Sequence, residues 1–289
     1  MQLSRSELIL NADGSIYHLN LLPQDIATTI ITVGDPERVS EVSRYFDSID
    51  IKKGKREFLT HTGSLKGKRI SVISTGIGTD NIDIVLNELD ALVNIDFTKR
   101  IVNENRIRLN VVRIGTSGAI QPEISINSFV MSTHAIGFDG LLHFYQHKLK
   151  EHKDMEDAFI AHTQWAKEKA RPYVVAYDGD LGNTLRDNRI RLGFTATNTG
   201  FYGPQGRELR IASSQPEVMS KMASFSFDKK QITNLEMETS GIYAMAKLLG
   251  HRAVSLNCIL ANRATGEFSE NPAQAVQELI QLTLAKLTS

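Results

Sequence analysis

The chain has 289 residues, with Lys and Arg totalling 33 against 33 Asp and Glu. That length suits one large α/β domain or two small ones, and it is ample for a packed core. The balanced charge argues against nucleic-acid and membrane-surface partners, which reward a basic excess.

Short β-branched runs alternate with helical patterns along the whole chain. Thr28 to Val33 predicts a strand. Pro36 to Phe46 predicts a helix, with Asp35 as its cap, Pro36 at the first helical position, and Val39, Val42 and Phe46 on one face. Arg69 to Ser74 predicts a strand followed by a Gly turn. A helix from Asp80 to about Val93 carries Ile82, Val85, Leu86, Leu89 and Val93 at helical spacing. Strands follow at Val111 to Ile114, Ser128 to Ser132, Tyr173 to Ala176 and Ile190 to Ala196. Thr239 to Leu249 predicts a helix closed by Gly250, Ala253 to Ala261 a buried strand, and Pro272 to Leu287 a terminal helix. Such alternation implies an α/β sheet covered on both faces, here as one domain over residues 1–289.

Asp96–Asn110 and Gln146–Asp157 break this rhythm with charged and amide residues, and both predict solvated surface extensions. His147, His152 and His162 lack a ligand pattern, so they are expected at the surface and no metal site is expected. The only cysteine, Cys258, lies in the apolar Ala253–Ala261 run and predicts an inert buried thiol. No stretch has membrane-spanning length and the N-terminus lacks a secretory pattern, so a soluble, cytoplasmic protein is expected.

Three constellations carry chemistry. Gly34-Asp35-Pro36-Glu37-Arg38 sits where a strand hands over to a helix. Gly34 lets a ligand approach the backbone, and the helix start offers unpaired N–H groups to an anion. Arg38 in the first helical turn opposes the helix dipole unless an anion lies beside it. Arg113 ends the apolar run Val111–Ile114, where an unpaired charge is costly. The following Gly115-Thr116-Ser117-Gly118 is expected to be a turn, and Arg113 with Thr116 and Arg38 would grip a phosphate. Ser74-Thr75-Gly76-Ile77-Gly78 does not complete a dinucleotide-binding pattern, because Asn81 stands at its sixth position.

The second constellation is Leu235-Glu236-Met237-Glu238-Thr239. Glu238 would take the two vicinal hydroxyls of a ribose while Met237 packs on the sugar. Capping of the next helix is the alternative role for Glu238, and Glu236 is expected to be structural. The third is Phe201-Tyr202-Gly203-Pro204-Gln205-Gly206-Arg207. Phe201 can stack on a planar ring, Gln205 can donate and accept, and Arg207 only donates. Uracil has the matching edge.

In order along the chain, GDPER (Gly34–Arg38), KREF (Lys55–Phe58), STGIG (Ser74–Gly78), VVRIGTSGAI (Val111–Ile120), DGLLHFY (Asp139–Tyr145), FYGPQGR, LEMET and ANR (Ala261–Arg263) resemble the nucleoside phosphorylases of the uridine phosphorylase type. The resemblance runs from Tyr17 to the terminal helix. It implies a three-layer α/β/α sandwich around a mixed, partly barrel-like sheet. It implies phosphate held by Gly34, Arg38, Arg113 and Thr116, with Arg56 reaching the phosphate of a neighbouring subunit. It implies His18 over the sugar 5′-hydroxyl across that same interface, Met237 and Glu238 on the ribose, and Phe201, Gln205 and Arg207 on uracil, with Arg263 supporting Arg207. A homo-oligomer, at least a dimer with shared sites, follows from the same likeness.

Purine-cleaving members of that family carry an Asp general acid where this chain has Asn262, so the resemblance fits the pyrimidine branch. Some members hold a monovalent cation near the positions of Glu57, Ile77 and Asn81. Asn81 departs from the pattern there, so no cation is predicted; no cofactor is expected beyond inorganic phosphate as co-substrate. The implied reaction is phosphorolysis of uridine to uracil and ribose 1-phosphate, with Arg38, Arg113 and Arg207 as the catalytic cations. The alternatives are a related phosphorylase or nucleosidase acting on another nucleoside, and a non-catalytic nucleoside-binding protein on the same scaffold.

Overall fold

Neighbouring residues of strand β1 (Thr29–Val33) serve two different cores, because side chains alternate across a sheet. Ile30 joins Val111 and Ala253 in the core beneath one helical layer. Ile31 joins Val112 and Val254 in the core beneath the other. The computed structural model describes residues 2–289. After β1 come α1 (Pro36–Ser43), β2 (Ser48–Lys55), β3 (Phe58–Leu65), β4 (Lys68–Ser74), α2 (Thr79–Asn94), and the short pair β5 (Ile95–Asp96) and β6 (Ile101–Val102). Then follow β7 (Asn110–Ala119), β8 (Phe129–Gly137), α3 (Lys153–Thr163), β9 (Tyr173–Ala176), α4 (Gly179–Thr184), β10 (Ile190–Thr197), α5 (Val218–Ser224), β11 (Ser226–Phe227) and β12 (Lys230–Glu236). The chain closes with α6 (Thr239–Leu249), β13 (Arg252–Asn262), β14 (Glu267–Phe268) and α7 (Pro272–Leu287).

The main sheet runs β11-β12-β10-β8-β13-β7-β1-β4-β3-β2, and β12 pairs again with β7. That extra pairing, Asn234 opposite Ala119 and Leu235 opposite Gly118, closes β12, β10, β8, β13 and β7 into a small barrel. The rest stays open as a twisted wing. Helices α2 and α6 pack on one side of the sheet, and α1 and α7 on the other. The expected layered sandwich with a mixed, partly barrel-like sheet is the observed architecture. No helix among the described residues is long and apolar enough to cross a membrane.

Two expectations are corrected here. Gly115-Thr116-Ser117-Gly118 is not a turn. β7 continues through it to Ala119, because β13 pairs alongside it from Arg252 to Asn262. The Gln146–Asp157 segment is only partly a surface extension. Helix α3 starts at Lys153, and its Met155 and Phe159 are buried with Phe138 and Phe225 in a third core. Within this segment His152 is half-buried, edge-on to His134.

Candidate active site

A cavity of about 700 Å³ opens where β1, β4, β7, β12 and β13 end. It is lined by Gly34 and Arg38, by Arg113 and Thr116, by Phe201, Gln205 and Arg207, and by Met237 and Glu238. Residues far apart in sequence thus meet at adjacent strand ends, as expected for ligand sites of α/β sheets.

The anion end is built on β1 and β7. Asp35 caps α1 by accepting from the Glu37 N–H at 2.9 Å, and Pro36 occupies the first turn. This fixes Arg38 facing the cavity. Its Nε is buried without a hydrogen-bond partner. Burial pushes the Arg38 pKa down, Glu41 opposes this, and the charge of Arg113 adds to the depression. Two close cations, one with an idle donor, suit an anion between them.

Arg113 is buried in mid-sheet and ion-paired. Its Nη2 lies 2.5 Å from Glu238 Oε2 and 3.3 Å from Glu236 Oε2, and its Nη1 donates to Asn257 Oδ1 at 2.8 Å. Burial disfavours its charge, but Glu236 and Glu238 overcome this and the net pKa shift is upward. The guanidinium folds back over Gly115. A Cβ there would lie 1.9 Å from Nη1, so a side chain at this position would displace the guanidinium.

The two glutamates divide the roles that the sequence left open. Glu236 is the structural one. Its Oε2 accepts from the N–H groups of Glu238 and Thr239, at 2.9 and 2.8 Å, and its Oε1 accepts from Thr197 Oγ1 at 2.5 Å. It therefore closes the start of α6, which its negative charge also favours. Glu238 makes no cap and faces the cavity. Its Oε1 accepts from the Gly78 N–H at 2.9 Å. Burial pushes its pKa up, Arg113 opposes this, and Glu236 reinforces it. Gly78 stands at φ +99°, a conformation only glycine takes easily, so the STGIG turn serves this carboxylate.

The other end is a loop around the short turn Gly203–Gln205. Gln205 is buried, and its Oε1 accepts from Arg207 Nη1 at 2.7 Å. Arg207 also donates to the Phe201 carbonyl, and its guanidinium lies 3.8 Å above the Phe201 ring. One face of the expected stacking ring is thus covered. Arg263 does not line the cavity. Its Nη1 donates to the Gln205 carbonyl at 2.9 Å and pins the turn that carries both polar residues. The Arg207 pKa is lowered by burial and by the nearby Arg263 charge.

Asn262 is buried. Its Nδ2 donates to the Gln121 and Ile124 carbonyls at 2.9 and 2.8 Å. Cys258 is buried, and burial pushes its thiol up to about 12 despite Arg38 nearby.

His18 and Arg56 are not brought to this cavity. His18 Nδ1 pairs with Glu88 Oε1 at 2.6 Å, and Glu88 also accepts from the His18 and Leu19 N–H groups. Arg56 is exposed at the β2–β3 turn, with φ +57°. Asn257 and Phe268 were missed by the sequence reading. Asn257 stands opposite Gly115 in the β7–β13 ladder and holds Arg113; its signal is an amide inside an apolar strand. Phe268 lines the cavity yet is 65% exposed, and a lone aromatic after a turn gave no signal.

Comparison with known proteins gives the family. Residues 28–288 match the family model described as the phosphorylase superfamily. A uridine phosphorylase of Thermococcus kodakarensis is 31% identical over 264 residues, covering 89% of this chain and 81% of that protein. A DeoD-type purine nucleoside phosphorylase of Brevibacillus brevis is 27% identical over 272 residues, covering 92% and 96%. A Trypanosoma brucei nucleoside phosphorylase, whose crystal structure is described as showing uridine phosphorylase activity, superposes with a TM-score of 0.89 at 27% identity, covering 97% of this chain and 99% of that one. The chain belongs to the phosphorylase superfamily; it is an enzyme, a pentosyltransferase of the nucleoside phosphorylase kind.

Proposed function

We propose that the enzyme is a uridine phosphorylase, converting uridine and inorganic phosphate reversibly to uracil and ribose 1-phosphate. One observation carries the reading: a single cavity holds the idle Arg38 donor beside Arg113, the Glu238 carboxylate, and the Gln205–Arg207 pair. Phosphate sits between Arg38 and Arg113, with Gly34 and Thr116 at its edge. Glu238 accepts from the ribose 2′- and 3′-hydroxyls, and Met237 packs against the sugar. Arg113 joins the two subsites, because Glu238 is its direct partner.

The glycosidic bond breaks with cationic character at C1′, and phosphate attacks from the face opposite the base. Electron density moves onto the leaving uracil. Arg207 and the Gln205 amide stabilise it there, so no protein acid is needed. For this, Arg207 turns from the Phe201 ring toward the base edge, and Phe201 is freed to stack. Positioning and charge stabilisation carry the rate, and no protein nucleophile takes part.

Asn262 supports a pyrimidine over a purine leaving group. It cannot donate a proton as an acid, and both hydrogens of its amide are committed to carbonyls. Assay of uridine, thymidine and inosine in phosphate tests this choice. Uridine is the expected substrate; inosine turnover matching uridine would overturn it.

His18 and Arg56 act, in this reading, in the site of a second subunit, Arg56 on phosphate and His18 on the sugar. A two-fold dimer would then hold two equivalent composite sites. Mixing Arg56→Ala with Arg113→Ala subunits should restore activity, since one site of each mixed dimer carries neither defect. Full activity in a sedimenting monomer would refute the sharing.

A further inference from the structure

A second cavity, of about 530 Å³, lies behind the base-reading loop. Its walls include Phe138, Trp165, Val218 and Met222, with the Phe138 and Trp165 rings 4.7 Å apart. Its polar lining is unevenly satisfied. Asp139 is saturated: its carboxylate accepts from the Leu141 N–H, from Tyr173 Oη and from Ser240 Oγ. Asn198 is 1% exposed, and its Oδ1 has no partner. A buried, idle acceptor is costly unless something donates to it. Lys169 Nζ has one hydrogen-bond acceptor, Gln215 Oε1 at 2.6 Å, and lies 4.7 Å from the Trp165 ring centre. Burial pushes the Lys169 pKa down, so an anion beside it would be welcome.

We propose that this cavity is a second ligand site, which takes a small aromatic acid bearing an O–H or N–H donor. The ring packs against the Phe138–Trp165 wall, the donor serves Asn198 Oδ1, and the carboxylate pairs with Lys169. The site acts on catalysis through one loop. Thr199, Gly203 and Pro204 line the second cavity, while Phe201, Gln205 and Arg207, interleaved with them, line the first. An occupant therefore braces the loop from behind and changes how the base is held, leaving the anion end untouched.

Trp165 is the only tryptophan of the chain, so its emission reports on this cavity directly. The probes are 3- and 4-hydroxybenzoate, whose donor and carboxylate differ in spacing. The controls are the matching methoxybenzoates, which lack the donor, and hydroxybenzamides, which lack the charge. At least one hydroxybenzoate should change Trp165 emission saturably, and both controls should bind more weakly. Lys169→Met should weaken the bound acid roughly tenfold or more, the scale of one lost charged hydrogen bond. The same acid should shift the KM for nucleoside and leave the KM for phosphate unchanged. Absence of a saturable response to both acids, or equal binding by the Lys169→Met variant, would overturn the site. An equal shift of both KM values would overturn the loop coupling. The emission titration needs no assumption about the substrate, so it stands or falls separately from the uridine assignment.

Discussion

Gly115→Ala tests the link between backbone geometry and the anion site. The new methyl would lie 1.9 Å from Arg113 Nη1, 2.3 Å from Cζ and 2.7 Å from Nη2. These distances are far inside contact, and β13 pairs with the strand through Gly115 itself, so the guanidinium must leave. Glu238 and Glu236 then lose their shared cation, and Asn257 loses its donor. Breaking one side of a buried pair costs about 3 kcal/mol or more. In a chain of this size that lowers the melting temperature by roughly 5–10 °C. If Arg113 holds phosphate and Glu238 the ribose, activity should fall by roughly a hundredfold or more in kcat/KM, because both groups are displaced. Differential scanning calorimetry and a phosphorolysis assay read the two effects. Gly179→Ala is the control: nothing lies within 4 Å of its Cβ, and it sits in α4, so it should be neutral or gain about 0.5–1 kcal/mol. A Gly115→Ala enzyme with wild-type melting and wild-type phosphate KM would refute the reasoning.

Glu238→Gln should reduce kcat/KM for uridine by about tenfold to a hundredfold, and less for 2′-deoxyuridine, which lacks one of the hydroxyls it accepts from; equal losses on both substrates would remove Glu238 from the ribose. Asn262→Asp should not create inosine cleavage, because its carboxylate would face the Gln121 and Ile124 carbonyls; a loss of about 2–4 kcal/mol in stability is expected, and a stable, inosine-cleaving variant would contradict it. Burial, with help from His152 and Lys230, pushes His134 down to about 4 from an ordinary 6.5, and burial also lowers His152. Above pH 6.5 both states are neutral at these sites. Below it the unfolded chain binds protons that the folded chain refuses, so stability falls between pH 6.5 and 4. His134→Phe should flatten the thermal-melting profile across that window, and an unchanged slope would exclude His134 as a cause.

Much of this fold is legible because period and punctuation agree. Tyr173–Ala176, Thr239–Leu249 and Pro272–Leu287 coincide with the observed elements, each having a clear apolar pattern and, for the helices, Gly250 or Pro272 at an end. The β2–β3 hairpin was not foreseen. Its first strand is Lys-rich and half-exposed, as suits a sheet edge, and so lacks an apolar signature. The GTSG segment misled for the opposite reason. Two glycines read as a turn, whereas the strand runs on beside β13 and the first of them leaves room for the Arg113 guanidinium. The motifs did single out residues that line one cavity, among them Arg38, Arg113, Gln205 and Glu238. That Glu236 rather than Glu238 caps α6 was not legible, because it depends on which carboxylate reaches the N–H groups of α6, and that is fixed only in three dimensions. Asn257 illustrates the same limit: its register against Gly115 comes from the sheet, not from local sequence.

Dependence of uridine cleavage on phosphate tests the central claim most directly. Uridine is incubated with the enzyme in phosphate-free buffer and again with phosphate, and uracil and ribose 1-phosphate are both quantified. If Arg38 and Arg113 hold the attacking phosphate, uracil appears only when phosphate is present, with one ribose 1-phosphate for each uracil. Equal uracil release without phosphate, with free ribose as the other product, would show that the cavity runs a hydrolysis and would contradict the account.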